Sequence, residues 1–130
     1  MRNSILIIVL IALISCNNTV KEPKEPIDKI AHNIENNYSK LIDNKTLRDG
    51  TLFYSFALTG DSSSSREKKL LWYIDKTLNK VYEGGDTYIF NGDYMYMTYN
   101  WNMPDILVKV QSDFYIENDS IYMRVWINKK

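Results

Sequence analysis

His32 and Glu35 stand three residues apart in "AHNIENN", a spacing that on a helix brings both side chains to one face, as an acid–base pair or as two ligands of a metal ion. The chain has one histidine and one cysteine, so nothing completes a zinc set around them, and the pair reads as a solvated helix face. Asp75, Asp86, Asp93, Asp105, Asp113 and Asp119 fall near turn-like sequence. They lack the alternating oxygen ligands and closing Glu of a calcium loop. The serines of "DSSSS" have no base placed by motif and no G-x-S-x-G elbow. "YEGGD" carries two glycines without the continuation that cradles a phosphate. No nucleophile–base pair assembles, so the expectation is a chain that is not an enzyme and holds no metal or cofactor.

Cys16 is different. It closes "MRNSILIIVLIALISC", in which Arg2 precedes an unbroken apolar run from Ile5 to Ile14. The run is half the roughly 20 residues needed to cross a bilayer, and it has the order of a signal peptide. Leu13, Ile14, Ser15 and Cys16 resemble the lipobox of bacterial lipoproteins, although Ile14 is a less usual choice than Ala or Ser. The resemblance implies that the Cys16 sulfur takes a diacylglyceryl group, that the chain is cut before Cys16, and that palmitate-like acyl chains hold it on a membrane of the bacterial cell envelope, the outer membrane above all. Each buried methylene contributes roughly 0.8 kcal/mol, and two or more chains anchor stably. The resemblance covers residues 1–16 only. With Cys16 modified, no thiol remains to form a disulfide.

The elements follow. Residues 1–15 read as the signal peptide and 16–26 as a lipidated cysteine with a tether, since "NNTVKEPKEP" is too polar to fold and favours extended chain. Residues 27–130 read as a single small α+β domain. Ile27, Ile30, Ala31, Ile34, Tyr38, Leu41 and Ile42 recur at helical spacing, predicting an amphipathic helix from Ile27 to about Lys45, with Pro26 in the first turn and Gly50 past the end. Strands are expected at "LFYSFAL", "LLWYID", "KVYE", "TYIF", "YMYMTYNW", "ILVKV", "FYIE" and "IYMRVWI". Asn91-Gly92 is the strongest hairpin signal, "KTLN" and "EGGD" read as turns, and "GDSSSSREKK" as a mobile loop. The expected architecture is an N-terminal helix packed on a curved antiparallel meander of six to eight strands, with a small closed barrel as the alternative.

Sixteen basic and sixteen acidic residues balance, which leaves no broad footprint for nucleic acid. Ten Tyr and three Trp concentrate in the strand-like segments. Alternation puts Ile121, Met123, Val125 and Ile127 on one side of the last strand, and Tyr122, Arg124 and Trp126 on the other. It likewise sets Met95, Met97, Tyr99 and Trp101 against Tyr94, Tyr96 and Thr98. A helix covers one face of a sheet, so Tyr94, Tyr96, Tyr122 and Trp126 are the candidate binding face, suited to a protein, peptide or glycan partner; paired strand aromatics with no partner are the plain alternative. The functional expectation is a lipid-anchored binding or scaffolding module outside the cytoplasm. A lipocalin-like carrier of a small apolar ligand is the second reading, tied to the barrel.

Overall fold

Pro26 opens helix α1 (Pro26–Asn37), where its fixed φ suits the first turn and Asp28 complements the helix dipole. The computed structural model of the chain describes residues 24–38, 41–90, 94–115 and 120–130. Cys16, the signal-like run, most of the tether and the Asn91-Gly92 turn lie outside them. A twelve-residue helix is marginal on its own. What holds α1 is burial of Ile30, Ala31 and Ile34, each isoleucine contributing roughly 1.5–3 kcal/mol.

The helix stops well short of Lys45. Asn36 and Asn37 are weak helix formers, and Tyr38 leaves helical geometry at φ −120°, ψ 70°. Its ring packs 4.7 Å from Phe56 and its hydroxyl donates to the Arg66 carbonyl at 3.1 Å. Leu41 and Ile42, expected in the helix, belong instead to β1 (Leu41–Thr46), which pairs with β2 (Leu52–Thr59). Gly50 does not follow a helix end: at φ +86° it closes the β1–β2 turn, in which the Leu47 N–H donates to the Thr51 carbonyl at 2.8 Å. Asp49 Oδ1 accepts from the Thr51 N–H at 3.0 Å. A positive φ is needed in either reading, so the glycine could not tell them apart.

The largest correction is helix α2 (Ser63–Leu78), which takes in the expected loop "GDSSSSREKK" from Ser63 onward and all of the expected strand "LLWYID". Leu70 and Ile74 are four apart, a separation that satisfies strand alternation and helical periodicity alike. Leu78, buried too, keeps the same ambiguity, but the burial of Leu71 beside Leu70 breaks alternation and fits the helix. Trp72, which strand alternation would group with Leu70 and Ile74, is 57% exposed, with Lys76 Nζ 4.1 Å from its ring centre. "KTLN" ends the helix: Asn79 takes the left-handed conformation (φ 50°, ψ 43°), and the Lys80 N–H returns to the Asp75 carbonyl at 3.0 Å.

The remaining strands are β3 (Glu83–Phe90), β4 (Tyr94–Asn102), β5 (Ile106–Tyr115) and β6 (Ser120–Lys129). "EGGD" is no turn but the irregular start of β3. A Cβ on Gly85 would collide with the Thr98 hydroxyl of β4, so only glycine allows that approach. "ILVKV" and "FYIE" merge, the former whole, into β5. All six strands are antiparallel in the order β1-β2-β6-β5-β4-β3. The fold is therefore α+β with one open sheet. The closed barrel is excluded, because β1 and β3 are edges that do not pair with each other. Only β3 to β6 form a meander; β1–β2 is a hairpin joined to β6, and α2 carries the chain from β2 to the far edge.

Both described helices lie on the same side. α2 packs on β2 and β6 and against α1, burying Tyr54, Phe56, Leu58, Val108, Val110 and Met123. Trp101, fully buried, donates its indole N–H to Asp75 Oδ1 at 2.8 Å, and the Tyr82 N–H reaches the same oxygen at 3.0 Å. Asp75 thus fastens α2 to the sheet and is not a turn residue.

Candidate functional site

The face of the sheet opposite the helices is set by register. Tyr94 lies across from Tyr115, Tyr96 from Asp113, Asp113 from Tyr122, Gln111 from Arg124, and Lys109 from Trp126. Directly paired residues point to the same side, so Tyr94, Tyr96, Tyr122 and Trp126 share the helix-free face. They do not form one patch. The rings of Tyr94 and Tyr96 are 6.3 Å apart, Tyr94 and Tyr115 5.0 Å, and Tyr115 and Tyr122 5.3 Å, giving a four-tyrosine cluster across β4, β5 and β6. Trp126 lies four residues from Tyr122, roughly 13 Å along the strand. It packs on Phe53 at 5.3 Å, with Lys109 Nζ 5.4 Å from the Trp126 ring and Lys45 Nζ 5.4 Å from Phe53.

Between the clusters sits a charged network that the sequence reading missed. Asp113 is 2% exposed. Its Oδ1 accepts from the Tyr94 hydroxyl at 2.9 Å and from Gln111 Nε2 at 2.9 Å, and its Oδ2 pairs with Arg124 Nη1. A buried carboxylate is tolerated only when such donors replace its water. Burial, and then the hydrogen bond to Asp113, push the Tyr94 hydroxyl up to about 12. With Asp113 saturated and Tyr94 held neutral, neither is available as a base or nucleophile. The network instead fixes the rings and leaves the Arg124 side chain 42% exposed. Tyr115 and Asp113 were legible by alternation, had "ILVKVQSDFY" been read as one strand.

His32 and Glu35 are not brought together. Asn36 Nδ2 donates to His32 Nε2 at 2.7 Å on the exposed side of α1, while Glu35 Oε1 accepts from the Tyr54 hydroxyl at 2.9 Å. Among the described residues no three His, Cys, Asp or Glu side chains gather to hold a metal, and no helix is long and apolar enough to cross a membrane. Asp93 and Asp119 lie outside the described residues.

A concavity of about 330 Å³ opens where α1 meets α2, with Arg66, Lys69, Trp72 and Tyr73 at its wall. Arg66 is already engaged there, donating to the Asn37 carbonyl at 3.0 Å and lying 5.2 Å from the Tyr38 ring centre.

Comparison with known proteins matched no family model, no curated protein and no solved structure.

Proposed function

We propose that the chain is a bacterial lipoprotein, anchored through acyl chains on Cys16 to a membrane of the cell envelope, with its α+β fold serving as a non-catalytic binding module outside the cytoplasm. The "LISC" motif supports the anchor. The observation that carries the binding role is the helix-free sheet face. Two aromatic clusters flank an exposed guanidinium there, and an apolar–cationic surface of this kind fits a protein, peptide or glycan partner. The rings are pre-positioned by cross-strand packing and by Asp113, which lowers the ordering cost of engaging a partner. The outer membrane is the proposed location.

Two measurements test the two halves. Cys16→Ser leaves an unprocessed precursor without the lipid mass; processing and membrane association at the native level would overturn the anchor. For the face, Trp126→Ala and Tyr122→Ala are compared with Val125→Ala by urea midpoint and by recovery of crosslinked partners from intact cells. The two aromatic variants lose partner recovery while costing less than about 1.5 kcal/mol of stability. Val125→Ala, at 0% exposure, costs about 2 kcal/mol. Unchanged recovery in both aromatic variants would remove the binding face.

A further inference from the structure

On the helix-covered side, away from the tyrosine face, a cavity of about 230 Å³ opens between α2 and strands β4, β5 and β6. Met95, Met97, Phe114 and Ile121 supply apolar walls, and Glu67 of α2 and Ser112 of β5 supply polar ones. Ser112 is 4% exposed, and its hydroxyl oxygen closes no hydrogen bond of ordinary geometry. Native folds rarely keep a buried hydroxyl in that state without a use for it. Burial pushes the Glu67 carboxyl above the usual carboxylate range, with the nearby Ser112 hydroxyl and then Lys68 drawing it back. The Tyr99 hydroxyl donates instead to Met97 Sδ at 3.6 Å. None of the described lining residues is a cation.

We propose that this cavity binds a small organic ammonium ion, its apolar group among Met95, Met97, Phe114 and Ile121 and its ammonium donating to the Glu67 carboxylate and the Ser112 oxygen. The size fits: an engineered cavity of about 150 Å³ holds benzene, so this one holds a ring with a two-carbon arm. Flexible methionines adapt to varied shapes. The acidic, acceptor-rich end selects charge: an ammonium brings a positive charge and several donors to the half-buried Glu67, a neutral alcohol brings one donor, and an anion is repelled. The site shares no residue with the tyrosine face and stands whether or not that face binds a partner.

The test is a titration of the full chain, carrying isotope-labelled methionine methyls, with phenethylamine, 2-phenylethanol and phenylacetate. Phenethylamine shifts the Met95 and Met97 methyl signals saturably and binds about tenfold more tightly than 2-phenylethanol, the ratio expected of one charge-assisted hydrogen bond. Phenylacetate binds more weakly than either. Glu67→Gln brings the amine down to the affinity of the alcohol and leaves the alcohol unchanged. Absence of a saturable shift with the amine, equal affinity for amine and alcohol, or a preference that survives Glu67→Gln would each overturn the proposal. If Glu67→Gln does not fold, the amine-to-alcohol ratio of the native chain decides the matter alone.

Discussion

A carboxylate at 2% exposure on a sheet face without helices survives because three donors converge on it: the Tyr94 hydroxyl, Gln111 Nε2 and Arg124. Removing it strands all three. Breaking a fully buried pair costs about 3–5 kcal/mol, but Arg124 is half in solvent, so Asp113→Ala is expected to cost about 2 kcal/mol. The measurement is a urea midpoint at unchanged slope. A midpoint within error of the native chain would show that the network is surface ornament. A second residue-scale expectation concerns alkali. Tyr38, Tyr54, Tyr94 and Tyr99 are all raised above 10.0, desolvation being the largest cause in each, and Tyr94 and Tyr99 reach about 12. Below pH 10 both folded and unfolded chains keep these protons. Above it the unfolded chain releases them first, so stability falls from about pH 10 to about pH 12. The midpoint at about pH 11 is therefore lower than at about pH 9, and equality would contradict the raised hydroxyls.

At the scale of elements, α2 separates what looks buried from what is. Ile74 is fully buried and Trp72 is 57% exposed, so Ile74→Ala is expected to cost about 2–5 kcal/mol through the cavity it leaves. Trp72→Ala is expected to cost about 1 kcal/mol or less despite deleting a larger side chain, since it loses chiefly the stacking of Lys76. Thermal or urea melts of the pair decide the point; equal losses would mean that the strand reading of "LLWYID" is right and the helix wrong. The element also explains Asn79: a left-handed position at a helix end favours Gly or Asn over residues with bulkier Cβ substituents.

For the whole molecule, the two helices and six strands close their core on one side of the sheet with no metal-ligand cluster among the described residues. A chain beginning at Glu25 is expected to fold cooperatively and to keep its melting temperature in chelator, followed by circular dichroism. A chelator-dependent loss of structure would point to a bound ion. Among the described residues no strand pairs with the outer sides of the sheet edges β1 and β3. Lys45 and its 3.2 Å pairing with Asp43 guard the first edge against further strand addition.

The sequence by itself determined the two-faced strands. In β4 and β6 alternation sorted helix side from open side correctly, because a side-chain period of two is a property of the backbone and survives any packing. The stripe Ile27, Ile30, Ala31, Ile34 likewise marked α1. Tertiary structure decided the remainder. Leu41 and Ile42 continue the helical spacing yet enter β1, because β2 offers partners to Leu41 and to Asp43, Asn44, Lys45 and Thr46, with an irregularity at Ile42, in a segment with weak helical preference. Leu70 and Ile74 fit both periods, and only the common burial of Leu70, Leu71, Ile74 and Leu78 chose the helix. "QSD" split β5 in the reading because Ser112 and Asp113 are polar residues at buried positions. Such positions are stable only if partners from other strands or helices, or a ligand, meet them. For Asp113 those partners, Arg124 and Tyr94, are remote in sequence, and only the folded chain brings them within reach, while Ser112 faces a cavity that Glu67 also lines.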